Sequence, residues 1–332
     1  VNKLNLITVK NRVCCMTDIE NLVKLAAMKK VAFVVNSLIK EKKKFLKDLK
    51  RATDTYDFIE FLCHETSTSK DAIKISESLA KTNIDCIVAV GGDGTLNEVV
   101  NGVTASNFEG LICGLAYGTG NDFCKTLPFP SSISELVEWL DVGYYKQLCV
   151  GKINYQNTDG DATQRHFINI ADLGIGAQVV QRVSKDPIFI NASLTFTKAI
   201  IQTFLSYKNQ AVKVEADNWL WEGKINSLVI ANGKYFGSGL CIAPDADPSK
   251  ARFDIVISGD ISIRDYLKNI PKIKRGAIIK HPQLFYKTAK SIKVSGVESP
   301  CGIECDGEFL GTTPVEITLA DQKINFLTKK SI

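Results

Sequence analysis

From Val31 onward the chain alternates short apolar runs with stretches of helical period. Val31–Asn36 precedes a lysine-rich segment at 40–51, Tyr56–Cys63 precedes a segment at 68–82, and Ile84–Val90 precedes a helix that includes Asn97–Val103. Leu111–Ala116 reads as a further buried strand and Ser131–Leu140 as a further helix. Apolar strands separated by helices predict crossover units and a parallel sheet with both faces covered. After Gly143 the texture changes to β-branched runs bounded by turn residues, at 145–155, 164–171, 211–216, 224–231, 253–258, 285–295 and 314–327. Such runs predict a mainly antiparallel β domain. The expected architecture is α/β in two domains, a doubly wound parallel-sheet domain over 28–143 and a mainly antiparallel domain over 144–332, after an N-terminal extension at 1–27. One helix, Leu194–Tyr207, interrupts the second domain and is apolar around more than half its circumference, so it is expected either to be buried in the core or to cover a hydrophobic ligand.

Composition narrows the picture. At 332 residues, 45% hydrophobic and 23% charged, the chain is of ordinary globular make-up, which excludes disorder, collagen and coiled coil. Its longest apolar runs fall far short of the roughly 18 residues that span a bilayer. Ten cysteines, irregularly spaced and often in apolar surroundings, read as reduced thiols of a cytoplasmic protein rather than a disulfide framework. Three scattered histidines and no close Cys or His pairs at ligand spacing argue against structural zinc.

The candidate chemistry lies in two loops. Gly91-Gly92-Asp93-Gly94-Thr95 follows a strand and opens a helix at Leu96-Asn97-Glu98. Glycines there let backbone amides approach a phosphate, and the helix N-terminus favours negative charge. Asp93 would repel a bare phosphate, so it serves either by way of Mg²⁺, by holding a sugar or loop amide, or as a helix cap. Gly118-Thr119-Gly120-Asn121-Asp122 follows the next strand. Two such loops at adjacent strand ends form one crevice, the place where open α/β sheets bind ligands. By contrast Gly174-Ile175-Gly176 lacks the third glycine of a dinucleotide fingerprint and reads as a turn before a helix.

The stretches VAVGGDGTLNEVVNGV (88–103), LAYGTGNDFCKTL (115–127), RHFINIADLGIGA (165–177), ANGKYFGSGLCIAPDA (231–246) and IECDGEFLGTTPVEI (303–317), with His64-Glu65-Thr66, resemble the diacylglycerol kinase and sphingosine kinase superfamily, in particular its soluble bacterial lipid kinases. The resemblance implies an ATP-binding first domain, a lipid-substrate second domain, ATP and Mg²⁺ as cofactors, and transfer of the γ-phosphoryl group to a lipid hydroxyl. It further implies nucleotide contacts from Asn36, Thr66, Gly92, Asp93, Gly94, Thr95, Leu96, Asn97, Glu98, Thr119, Asn121 and Asp122. Asp93 would meet the metal of Mg·ATP. Glu308 would act as general base, with Asp306 orienting a cation or polarising that base from the same strand face. NAD kinases share the GGDGT loop, so a nucleotide kinase is the alternative enzyme. A lipid or nucleotide binder without turnover is the alternative of another class.

Two departures from the family pattern bear on function. Asn36-Ser37-Leu38-Ile39-Lys40 keeps only the asparagine of the usual Asn-Pro and Ser-Gly opening, and Ser249-Lys250-Ala251 replaces an Asp-Asp-Gly that helps hold a structural Mg²⁺. An ammonium does not ligate Mg²⁺, so the site around Asp247, Lys250 and Arg252 is expected to be lost, with Lys250 ion-paired instead. Net charge is only +5, yet no acid occurs between Asp265 and Glu298, a span with eight lysines and arginines. That face is expected to meet anionic membrane peripherally. No recognition helix or stacking signature favours nucleic acid, and a homodimer is left open.

Overall fold

The computed structural model describes residues 7–9, 12–14, 28–157, 159–185 and 202–329. The first domain alternates β1 (Lys29–Val35), α1 (Lys42–Thr55), β2 (Ile59–Glu65), α2 (Asp71–Ala80), β3 (Cys86–Gly91), α3 (Asp93–Ala105) and β4 (Leu111–Ala116). The strands run parallel in the order β2-β1-β3-β4. Successive side chains point to opposite faces, and both faces are covered. Ala32, Val34, Ile87 and Ala89 pack with Leu79, Val99 and Val103 of α2 and α3. Val31, Phe33, Val35, Cys86 and Val88 pack with Phe45 and Leu49 of α1. This is why the strands read as unbroken apolar runs.

After the short α4 (Phe123–Thr126), α5 (Ile133–Val142) starts at Ser132, whose side chain accepts from Glu135 N, and ends at Gly143 with φ +66°. Then β5 (Tyr145–Leu148) leads into the second domain: β6 (Gly151–Gln156), β7 (Ala162–Phe167), β8 (Ile170–Gly174), α6 (Ile175–Lys185), β9 (Gln210–Ala216), β10 (Leu220–Ile225), β11 (Ser227–Ala231), β12 (Tyr235–Phe236), β13 (Leu240–Cys241), β14 (Phe253–Ser258), α7 (Ile263–Lys274), β15 (Leu284–Ala289), β16 (Ser291–Gly296), β17 (Gly302–Cys305) and β18 (Glu308–Leu319). Its main sheet has the order β10-β9-β16-β18-β17-β8-β11-β14-β15, with β6 joined to β18 and β7 to β6. Every pairing in it is antiparallel. Its interior is aliphatic, with Val212, Leu228, Ile255, Ile292, Ile303 and Ile317 fully buried.

The last strand, β19 (Ile324–Leu327), returns to the first domain and lies between β4 and β5, parallel to the former and antiparallel to the latter. The sheet expected within 28–143 is thus completed by strands from both sides of the second domain. The runs at 145–155 and 314–327, each expected as one strand, divide between the two sheets. The run at 285–295 breaks at Lys290 without a glycine or proline. Its turn amides, Lys290 N at 2.7 Å and Ser291 N at 2.8 Å, are held by the carboxylate of Asp217, a partner remote in sequence. The runs at 164–171 and 224–231 likewise each feed two strands. Of the helix expected at Leu194–Tyr207, residues 202–206 are helical and most of the rest lies outside the described residues. In the extension, Ile7–Val9 pairs antiparallel with Arg12–Cys14.

Phe326 of β19 is fully buried, with ring centroids 5.8 Å from Phe123 and 5.6 Å from Phe129. Phe326→Ala is expected to cost about 3–5 kcal/mol and to unfold the first domain at lower urea. Circular dichroism across a urea series checks this; an unchanged midpoint would mean that β19 is dispensable to the sheet.

Candidate active site

The two glycine-rich loops meet back to back. Gly92 is the extended N-cap residue of α3, and no side chain caps that helix. The amides of Tyr117 and Gly118 donate to Gly91 O at 2.8 and 2.9 Å. A Cβ placed on Gly118 would lie 2.4 Å from Gly92 Cα, so backbone contact itself excludes a side chain there. Asp93, in the first turn of α3, reaches across: its carboxylate accepts from Asp122 N at 2.9 Å and Phe123 N at 3.0 Å. Burial pushes its pKa up, and those two amides oppose the shift. Asp122 accepts from Ser238 N at 2.8 Å and Lys125 Nζ at 2.6 Å, which ties the second loop to the Gly237–Gly239 bend of the other domain. On the outer side of the loops a cleft of about 860 Å³ is lined by Asn36, Lys40, Lys44, Gly92, Gly118 and Thr119.

Asp306 and Gly307 form the two-residue turn between β17 and β18, with φ +46° and +86° and Cys305 paired to Glu308. Two successive positive φ values are the mark of a type I′ turn, for which Asp-Gly is a preferred pair. Beyond that turn, Glu308 Oε2 accepts from Arg165 Nη2 at 2.7 Å, and Oε1 stands 3.4 Å from Lys70 Nζ. Arg165 Nη2 also donates to Asn97 Oδ1 at 2.9 Å. One guanidinium therefore links Glu308 to the first turns of α3.

Behind the loops, Asp93, Asp122, Glu304 and Asp306 line a chamber of about 180 Å³. It shares Val180, Phe236, Gly237 and Glu304 with a narrower apolar slot walled by α6, α7 and β11 through such residues as Ile175, Val179, Val229 and Ile273. The polar chamber thus continues into an apolar recess.

Comparison with known proteins agrees with this arrangement. Residues 30–153 match the diacylglycerol kinase catalytic domain, and 169–328 match the YegS C-terminal NAD kinase beta sandwich-like domain. The chain belongs to this diacylglycerol kinase family. A diacylglycerol kinase of Staphylococcus carnosus (strain TM300) is 27% identical over 270 residues, 81% of this chain and 85% of that one. One of Bacillus subtilis (strain 168) is 26% identical over 268 residues, 80% and 85% of the two chains. In fold, the chain is similar to the crystal structure of a diacylglycerol kinase from Bacillus anthracis str. Sterne, with TM-score 0.64 and 21% identity over 91% of this chain and 97% of that one. It is also similar in fold to yeast NADH kinase complexed with NADH, with TM-score 0.55 and 9% identity over 98% and 89%.

Against the residues expected from sequence, the structure makes several reassignments. Gly92, Thr119 and Asn36 line the cleft, while Gly94 stands at the opening of α3 with open space around its Cα. Asn36 Nδ2 donates to Thr95 Oγ1 at 3.2 Å, and Thr66 Oγ1 accepts from Ser37 N at 3.3 Å, so both side chains brace the β1 loop. Asn121, with φ +47°, donates to Gly118 O at 2.8 Å and so shapes the second loop. Leu96 is buried in the core. Glu98 accepts from the amides of Lys70 and Ala72 at 3.2 and 3.1 Å, so its carboxylate holds the start of α2. Asn97 donates to Asp306 Oδ2 at 2.7 Å and to His166 O at 3.0 Å, across the domains. Asp93 takes the loop-amide role, with both oxygens occupied by protein donors. Among the described residues no group of three or more His, Cys, Asp or Glu side chains is placed to hold a metal ion.

Asp306 does not share a strand face with Glu308 as expected. It sits instead in the turn, buried, with Oδ2 accepting from Asn97 Nδ2 and Ile168 N, and Oδ1 from Asn169 N and Ile170 N. Four donors fill a carboxylate's acceptor sites. At the loop expected to lose a Mg²⁺ site, Asp247 accepts from Ser249 N and Oγ at 3.1 and 2.7 Å and lies 3.7 Å from Lys250 Nζ, while Arg252 N donates to Lys250 O.

Arg165, Lys70, Asp172 and Glu304 carry no signal of their own in the sequence. Arg165 stands there only as one residue of a matching stretch, and its partner lies 143 positions away. Asp172 and Glu304 are cross-strand neighbours in β8 and β17 and line the slot. Burial raises the pKa of Asp172 to about 7, against Ser227 Oγ at 2.6 Å, and pushes Glu304 well above the carboxylate range, with Asp172 adding to the rise.

Two expectations follow from these contacts. Gly118→Ala should force the loops apart, at about 1–3 kcal/mol of stability, and weaken nucleotide binding; calorimetric titration with ATP checks it, and parental affinity would separate the loop contact from binding. Asp172 and Asp306, whose pKa rises to about 6, both hold protons more tightly folded than unfolded. Their contribution is full below about pH 4 and is lost as pH rises toward 7, at about 1.4 kcal/mol for each tenfold gain in proton affinity on folding. Asp172→Asn should flatten that decline in unfolding free energy, and an unaltered slope would show that Asp172 does not titrate in this window.

Proposed function

We propose that the protein is an ATP-dependent lipid kinase that transfers the γ-phosphoryl group to a hydroxyl of a diacylglycerol-like lipid. The observation that carries this reading is the continuity between the phosphate-loop chamber and the apolar slot through Val180, Phe236, Gly237 and Glu304. Such a recess suits an acyl chain and offers little to the polar ribose of a dinucleotide. The uncapped amides at the start of α3 and the lysines of the outer cleft, Lys40 and Lys44, suit the phosphates of ATP. Mg²⁺ enters this reading with the nucleotide, as part of the substrate, since Asp93 and Asp122 already hold protein donors.

In this reading the acceptor hydroxyl lies between the chamber and Glu308. Arg165 and Lys70 each engage one carboxylate oxygen, and neither cation accepts a proton, so lone pairs on Glu308 remain for the hydroxyl. As the hydroxyl oxygen bonds to the γ-phosphorus, its proton passes to Glu308, the bond from phosphorus to the β,γ-bridging oxygen breaks, and the electron pair leaves with ADP. Arg165 holds the base in place through Asn97 and lets neither drift from α3.

Glu308→Gln preserves volume and removes the basic site. Turnover on diacylglycerol in mixed micelles should fall by about two to four orders of magnitude, with ATP affinity nearly unchanged. Near-normal turnover would remove Glu308 from the chemistry, and parallel loss of ATP binding would make it a nucleotide residue. Phosphorylation of NAD in preference to lipid by the parent protein would favour the nucleotide-kinase alternative. ATP binding without turnover on any lipid extract would favour the non-catalytic one.

A further inference from the structure

The helix α7 has two faces of opposite character. Tyr266, Asn269 and Ile273 line the slot, as do Ala277, Ile279 and His281 in the segment that follows. The spacing of three and four places the first three on one side of the helix. Elsewhere around the helix Lys268, Lys272 and Lys274 are exposed, and Arg275 and Lys280 are exposed just beyond it. Among the described residues none of these five forms an ion pair with an acid. Between them Leu267 and Ile278 expose 46% and 53% of their surfaces. The wall of the slot is thus one helix thick, apolar within and basic with apolar points without.

That wall is also lightly held. Ile273 is the one buried residue of α7, and Ser262 caps the helix by accepting from Asp265 N. The slot holds about 130 Å³, well below the roughly 300 Å³ at which small-molecule sites begin, so an acyl chain enters only if a wall shifts. α7 is the wall with least to lose.

We infer that the outer face of α7 and residues 276–280 dock on an anionic bilayer, with Leu267 and Ile278 entering the interface, so that the slot opens directly to the lipid. This deepens the lipid-kinase reading and rests on it for the purpose of the slot, whereas the docking itself does not require turnover. Cations grouped beside exposed aliphatic residues are what peripheral binding to an anionic membrane surface uses. Nucleic acid would match the charge but leave the two aliphatic side chains in water. An insoluble acceptor also reaches a slot pressed to the bilayer without crossing solvent.

The test is sedimentation of the full chain with phosphatidylcholine vesicles and with vesicles that also contain phosphatidylglycerol. Binding should need the anionic lipid and fall as salt rises. The double variant Lys268→Ala, Lys272→Ala should bind about thirtyfold more weakly, while Lys287→Ala with Lys290→Ala, on and beside β15, should bind within about threefold of the parent. In detergent micelles with a short-chain diacylglycerol the first pair should turn over like the parent, because both lysines lie outside the slot. Equal binding to neutral and anionic vesicles, equal losses in the two double variants, or tighter binding to a DNA duplex than to anionic vesicles would overturn the inference. If no lipid is phosphorylated by any form, the kinase reading fails while the vesicle comparison still decides the docking face.

Discussion

The buried carboxylate of Asp306 is the point at which the two domains are held in one arrangement. It accepts one donor from α3 of the first domain, Asn97 Nδ2, and three backbone amides from residues 168–170 of the second. Those three amides lie at the bend between β7 and β8, and a buried amide left without a partner costs about 1–3 kcal/mol. The type I′ turn presents the carboxylate to them, with positive φ at both turn residues. Glu308, immediately after the turn, inherits its position from that anchoring.

A second constraint acts beside it. Asp93, Asp122 and Asp306 all surround one chamber, and Asp93 and Asp306 have pKa values raised mainly by burial. Backbone amides supply much of the compensation: two on Asp93, three on Asp306 and one on Asp122. Hydrogen bonds to an ionised acceptor are stronger than neutral ones, so acids can be kept close together without a cation between them. The same device fixes the spacing of the glycine-rich loops, because Asp93 cannot leave the amides of Asp122 and Phe123 without exposing both. The spacing of the glycine-rich loops and the interdomain geometry therefore rest on one set of hydrogen bonds.

The second domain separates polarity along one path. Chamber and slot meet at Glu304, whose pKa is pushed up by burial and by Asp172. Its carboxyl accepts from Gly307 N at 2.9 Å, and a full charge beside an apolar recess would be costly to desolvate. On the far side α7 closes the recess with few buried contacts. Reaction centre, recess and outer basic face thus follow one another in space, although their residues come from four separated stretches of the chain.

Local chemistry made much of this legible. Apolar runs alternating with helical periods determined a parallel sheet, since strands covered on both faces admit little else. Gly91–Thr95 determined a strand-to-helix turn with free amides, and Asp306-Gly307 determined a tight hairpin, because few other residue pairs accept two positive φ values. Tertiary structure decided the rest. Which sheet receives 145–148, 151–156 or 324–327 depends on partners about 180 positions apart, and alternation of period two is the same in either sheet. Asp93 meets loop amides because the second loop comes within 3 Å of it, and Arg165 meets Glu308 because β7 passes beside the β18 turn. Periodicity and turn propensity record the conformation of a residue and its near neighbours. Ion pairs, buried protons and the lining of a recess are fixed by approach across space, which a single chain does not write into any local pattern.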